Sequence, residues 1–183
     1  MWLNSRGIDN SIVRPNSTKV HKGVDHSITL PRDYREKYEI ELVLLELTEE
    51  VCRRARAIRK AGNVVHLYCR GTDFNNPTGF SRQKKLAQPT AVTMDVYSVV
   101  LQLFDTHWNR RPIRAARVSL SGLVPDSCLQ LSLFDDQEIK ISLCRVMDEV
   151  RSRFGVTSLF RAASLMTGGR LFDRAKKIGG HEA

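Results

Sequence analysis

The sequence lacks the features that would place the chain in a membrane or direct it to secretion. No apolar run approaches the roughly 20 residues that a membrane-spanning helix needs. The apolar stretch at the N-terminus is far too short for a signal peptide. We therefore expect a cytoplasmic protein with no membrane partner.

Paired cysteines are also absent. The chain has 4 cysteines, at positions 52, 69, 128 and 144, with no Cys-x-x-Cys spacing and no histidine pair nearby. A zinc site or a disulfide framework needs such clustering. The pattern indicates reduced, structural thiols and predicts no metal site.

Negative charge is in short supply. The 29 lysines and arginines outnumber the 20 aspartates and glutamates, which gives a formal net charge of +9. A strongly basic chain favours a polyanionic partner, and nucleic acid is the commonest one. Charge alone does not decide the function, because many basic proteins bind nothing acidic.

Hydrophobic periodicity predicts four strands and two amphipathic helices in the order β-α-β-β-α-β. The predicted strands span residues 26–31, 64–72, 79–86 and 113–123. The first helix is expected to begin at a cap on Asp33 and end at Gly62, and the second spans residues 93–108. We expect Pro31 to end the first strand and Pro89 to lie where the third is broken. The predicted fold class is α/β (α+β), a four-stranded antiparallel sheet with two helices on one face.

Two helices can cover only one face of such a sheet, so the other face should be polar. Alternation places His66, Tyr68, Arg70, Arg117, Ser119 and Ser121 on it, and the nearly all-polar third strand adds Ser81, Arg82, Gln83, Lys84 and Lys85. This set carries cations and hydroxyls and no carboxylate, which suits a phosphate backbone. The alternative is an ordinary solvated sheet face.

A connector with unusual apolar content follows the last strand. Residues 130–134 read Gln-Leu-Ser-Leu-Phe, after a Pro-Asp-Ser turn signal and before a predicted helix over residues 138–154. This connector peptide resembles the short segment with which bacterial DNA polymerases and repair proteins dock on the sliding clamp. The candidate clamp-binding residues are Gln130, Leu131, Ser132, Leu133 and Phe134. The alternative is a last edge strand with Leu129, Leu131 and Leu133 on one face.

Further motifs carry a resemblance to a polymerase family. They are Thr-Leu-Pro-Arg-Asp-Tyr at 29–34, Asp-Phe at 73–74, Gly-Phe-Ser-Arg-Gln at 79–83, the strand at 117–122, the connector peptide and Met-Asp-Glu-Val-Arg at 147–151. Together they resemble the C-terminal part of Y-family translesion DNA polymerases of the UmuC/DinB type, nearest to the branch called UvrX. The resemblance covers nearly all of the chain.

The resemblance implies a domain order. Residues 1–12 look like the end of the thumb, 13–26 like a linker and 27–124 like the little finger, a DNA-binding domain. Residues 125–137 form the connector, and 138–183 form a helix and a basic tail, whose part from residue 159 we expect to be loosely structured.

The resemblance also implies a function, but one without the family's catalytic domain. The family's palm, whose carboxylates hold two magnesium ions, has no counterpart here, so we predict no catalytic residue, no metal and no cofactor in this chain. We expect sequence-independent binding of template-primer duplex and docking on the sliding clamp, in translesion DNA repair and the SOS response. Two alternatives are a stand-alone regulatory little finger that competes for clamp and DNA, and an unrelated RNA-binding domain, which would expose aromatic rings on the sheet.

Overall fold

The structure, a computed structural model, describes Arg6 and residues 22–73, 78–129, 136–178 and 181–182. The main elements are β1 (Gly23–Tyr34), α1 (Lys37–Ala57), β2 (Lys60–Arg70), β3 (Gly79–Thr90), α2 (Thr93–His107) and β4 (Ile113–Ser121). They are followed by β5 (Val124–Pro125), α3 (Gln137–Phe154), α4 (Leu171–Ala175), β6 (Lys177–Ile178) and β7 (His181–Glu182), with short 3₁₀ turns at Asp126–Cys128 and Ala162–Leu165.

The first six elements form an antiparallel sheet under two helices. The strand order is β1-β4-β2-β3, so β1 and β3 are the edges, and β5 adds a short pairing to β2. This arrangement confirms the predicted α+β fold and its β-α-β-β-α-β order. None of the helices among the described residues is long and apolar enough to cross a membrane.

The core lies between the helices and one face of the sheet. Leu44 and Leu47 of α1 and Val65 of β2 have no exposed surface, and Phe104 of α2 stacks on Trp108 with ring centroids 4.9 Å apart. Because successive strand residues point to opposite faces, the alternate residues of β2 and β4 are left on the uncovered side. We call this side the open face.

Both edge strands continue through a proline where the sequence predicted a break. β1 begins at Gly23, inside the predicted linker, and passes Pro31 to end at Tyr34; β3 passes Pro89 to end at Thr90. Proline cannot donate to a sheet ladder, but an edge strand has one side with no partner to supply. In both strands the proline lies near an irregularity in register.

The predicted bounds of the first helix were also wrong. Asp33 lies in β1, and α1 begins after Glu36 without a side-chain cap. At the other end α1 stops at Ala57, and Gly62 lies inside β2 instead. A Cβ at Gly62 would come within 2.5 Å of the Leu120 side chain. The glycine therefore permits close packing against β4.

The segment from Leu159 to Lys176, here called the C-terminal tail, packs on α1, which corrects the expectation of a loose tail. The Arg170 backbone N–H donates to both carboxylate oxygens of buried Glu46, at 3.0 and 3.2 Å. Arg161 Nε donates to Glu49 at 2.8 Å, and the Tyr34 hydroxyl donates to the Gly168 carbonyl at 3.1 Å. Polar contacts therefore anchor this part of the chain.

Helix α3 confirms the predicted helix to within one residue but packs by its charged side. Arg56 of α1 binds Asp148 through two hydrogen bonds of 2.6 and 2.9 Å. Apolar side chains of α3 face solvent: Leu143 and Val146 are 59% and 57% exposed. These apolar side chains therefore contribute little to the core.

Candidate nucleic-acid interface

Strand register places most of the predicted site residues together on the open face. In the ladder Tyr68 lies between Arg117 and Ser81, and His66 lies between Ser119 and Gln83. Residues directly opposite each other in an antiparallel pair share a face. The open face comprises Asp25, Ser27 and Thr29 of β1, His66, Tyr68 and Arg70 of β2, Ser81, Gln83 and Lys85 of β3, and Ala115, Arg117, Ser119 and Ser121 of β4.

Two predicted site residues lie on the other side of the sheet. Arg82 is paired with the core residue Leu67, so both point toward the helix layer. Lys84 donates to Gln102 of α2 at 2.8 Å, which fixes its side chain on the same side. Because the predicted third strand is nearly all polar, alternation of polar and apolar residues could not show which of its side chains lie on which face of the sheet. Arg82 and Lys84 are therefore removed from the candidate interface.

The expectation that the open face carries no carboxylate was wrong. Asp25 lies on it, opposite Ser119, and its Oδ2 is 3.2 Å from Arg117 Nε. Both side chains are about half exposed, at 51% and 52%. Asp25 was missed because the predicted first strand began at His26, whereas Ser27 and Thr29 lay inside that strand but were assigned to neither face. The alternation of polar and apolar residues from Val24 to Leu30 was the signal that could have found them.

A hollow of about 420 Å³ lies on the open face, toward the end of the ladder that carries Ala115. Ala115 is among its lining residues, opposite Thr29 on one side and Arg70 on the other, and its small side chain leaves room above the sheet. The polar residues that line it are Ser27, Thr29, His66, Tyr68, Arg70 and Arg117. Guanidinium and hydroxyl donors around a concave site are suited to an anion such as a phosphodiester.

Among the described residues, the two buried cysteines are unreactive, and acidic, histidine and cysteine side chains form no metal-binding cluster. Burial raises the pKa of the Cys52 and Cys69 thiols to about 12, so neither is a thiolate nucleophile at neutral pH. Within the described ranges, no group of three or more histidine, cysteine or acidic side chains could hold a metal ion. The arrangement is suited to binding.

The connector peptide, residues 130–134, lies outside the described residues, but both of its flanks are anchored. On the upstream side Val124–Pro125 pairs with β2, and the Asp126 N–H donates to the Arg59 carbonyl at 3.0 Å. On the downstream side α3 begins at Gln137 and is held to α1 by Asp148. The described segments that flank the peptide in the sequence are thus both attached near the corner between α1 and β2.

Comparison with known proteins assigns most of the chain to a family. Residues 21–133 match the model of the impB/mucB/samB family C-terminal domain. The chain is 50% identical over 182 residues to DNA polymerase IV 2 of Bacillus subtilis (strain 168), covering 99% of this chain and 44% of that protein. It is 36% identical over 184 residues to the putative UV-damage repair protein UvrX of the same organism, covering 100% of this chain and 44% of that protein.

A solved structure, the complex of beta-clamp processivity factor and little finger domain of PolIV, matches with a TM-score of 0.47 and 18% identity. The match covers 62% of this chain and 99% of that chain. The chain spans less than half the length of the curated relatives named above. It belongs to the impB/mucB/samB family, whose C-terminal domain it carries, and corresponds to the C-terminal part of a Y-family polymerase.

Proposed function

We propose that this chain provides sequence-independent DNA binding and sliding-clamp docking to a translesion DNA polymerase. The observation that carries the proposal is the open face, where Arg70, Arg117 and Lys85 stand among hydroxyl groups on a rigid sheet. Relatives named DNA polymerase IV 2 and UvrX, a putative repair protein, favour duplex DNA as the polyanion that the open face binds.

The chemistry of the open face favours backbone contacts over base readout. Its cations and hydroxyls donate to phosphate oxygens, which position a protein on duplex without reading sequence. Tyr68 is the single Phe, Tyr or Trp that the described strands place on the face, too few for the base stacking typical of RNA-binding sheets.

Clamp docking rests on the connector peptide. Three large apolar residues, Leu131, Leu133 and Phe134, stand in a segment between two folded elements, where polar residues are the rule. Such a segment suits an apolar pocket on a partner. In this proposal Gln130 makes the polar contact at the rim of that pocket.

Salt dependence tests the DNA-binding part. Binding of a short duplex should weaken steeply as salt rises, because each phosphate contact releases counterions. Arg117→Ala should lower the slope of log affinity against log salt by about one, the value for one lost contact. Arg82→Ala, which removes the same charge from the opposite side of the sheet, is the matched control and should leave the slope nearly unchanged.

Fluorescence anisotropy measures the salt slope of each variant, and the use of two duplexes of unrelated sequence tests for sequence preference. Equal effects of Arg117→Ala and Arg82→Ala would mean that overall charge, and not the open face, binds DNA. A strong preference for one duplex would contradict backbone binding.

The chain alone should not extend a primer. Phosphoryl transfer in polymerases depends on metal ions held by carboxylates, and the described residues form no such cluster. With a primed template, nucleotides and magnesium or manganese, incorporation should not exceed that of buffer. Chain-dependent extension by a clean preparation, lost when the purified protein is heat-denatured, would contradict this prediction.

A further inference from the structure

We propose that Asp25 is an intramolecular competitor for phosphate that limits how tightly the open face binds DNA, an inference that rests on the function proposed above. Asp25 forms an ion pair with the guanidinium of Arg117, one of the two arginines that line the hollow. A phosphate that enters the hollow must share that guanidinium with the carboxylate or displace it.

The geometry makes the competition direct. Asp25 is opposite Ser119 and Arg117 is opposite Ser27, so the ion pair runs diagonally between β1 and β4. A single distance of 3.2 Å joins Arg117 Nε to Asp25 Oδ2, whereas arginine can also bind carboxylates and phosphates through two parallel bonds. With both side chains about half exposed, water screens the pair, and such surface pairs are weak.

The balance of charge on the face increases the effect. The residues paired across its described ladder include Arg70, Lys85, Arg117 and the carboxylate Asp25. Asp25 thus offsets part of the positive charge that would attract a phosphate backbone. Removing it frees the Arg117 guanidinium and raises the local positive potential together.

The test measures duplex binding by Asp25→Asn at low salt. The variant should bind about three- to fivefold more tightly than the wild type, the range for losing one weak surface pair. Its salt slope should differ little from that of the wild type, because Arg117 makes the same phosphate contact in both proteins and the variant only removes the competing carboxylate. Asp25→Ser should behave in the same way, which separates loss of charge from any new contact by the asparagine amide.

Asp105→Asn is the matched control. Asp105 is 51% exposed, like Asp25, and pairs with Lys37 at 2.7 Å on the helix side of the molecule. The Asp105→Asn variant changes the net charge by the same amount as Asp25→Asn, yet it should leave DNA binding nearly unaltered. Thermal melts should be similar for wild type and both variants, because each removes one half-exposed side-chain charge.

Arg117→Ala provides the decisive background. If Asp25 acts by occupying Arg117, the gain from Asp25→Asn should largely disappear once Arg117 is alanine. Unchanged or weaker binding by Asp25→Asn, or a full gain in the Arg117→Ala background, would overturn the inference while wild-type binding upholds the proposed function. A wild type with no salt-dependent duplex binding would overturn both.

Discussion

Truncating Leu133 and Phe134 together to alanine is expected to weaken binding of a sliding clamp by about thirtyfold, on the order of 2 kcal/mol. Fully desolvated apolar anchors supply most of the free energy of a small interface, and these two side chains are the largest at the end of the connector peptide. Folding stability should change little, because the proposal places both side chains in the partner's pocket and not in the domain core.

Two measurements separate this expectation from an edge strand in the same segment. Calorimetric titration against the clamp gives the affinity, and thermal melts give the stability. Leu143→Ala with Val146→Ala is the matched control, because it also truncates two apolar side chains, which are 59% and 57% exposed on α3. A double mutant at 133 and 134 that melts several degrees lower, with no clamp binding by the wild type at tens of micromolar, would contradict clamp docking.

The elements that the sequence predicted best are those with an unbroken hydrophobic period. In β2, Val65, Leu67 and Cys69 alternate with polar residues, so both the strand and its open face followed from the pattern. In α2, apolar residues at three- and four-residue steps gave a helix whose observed end differs by one residue.

Prediction from the sequence failed where a feature depends on residues that are distant in the chain. It also failed where a strand shows no alternation of polar and apolar residues. Pro31 and Pro89 are tolerated because β1 and β3 turn out to be edges, which depends on the strand order of the whole sheet. β3 is polar on both sides, so Arg82 and Lys84 could not be assigned to a face. Asp25 was missed because a strand boundary was set three residues too late.

The tail is the clearest example of information that local patterns do not carry. Glu46 and Arg170 are separated by 124 positions, and Glu49 and Arg161 by 112. On sequence alone such residues are typical of solvated surface, because glutamate and arginine are almost never fully buried unless paired. The burial of Glu46 and Glu49 follows only from the fold that brings each of them to its distant partner.

Glu49→Ala is expected to release the C-terminal tail from α1, with a loss of about 3 kcal/mol in the free energy of docking. Glu49 is 8% exposed and holds two arginines: Arg161 Nε at 2.8 Å and Arg151 Nη2 at 3.5 Å. Arg151 is itself only 9% exposed. The alanine variant would leave Arg161 of the tail and the buried Arg151 of α3 without the carboxylate that they share, and the tail would lose its charged contact with Glu49 of α1.

Hydrogen exchange read out by mass spectrometry should detect the release as exchange in residues 159–176 that is faster by about two orders of magnitude, the equivalent of that loss. Exchange in the central strands β2 and β4 should change far less, because their core is formed by apolar side chains. Glu149→Ala is the matched control: Glu149 also binds an arginine, Arg153 at 2.7 Å, but the two are 61% and 69% exposed. Surface pairs of that kind contribute at most about 1 kcal/mol, so the control tail should exchange nearly as in the wild type. Equal protection of the tail in the Glu49→Ala and Glu149→Ala variants would show that the ion pairs of Glu49 do not hold it, and that its other contacts, such as the Arg170 N–H bond to Glu46, do.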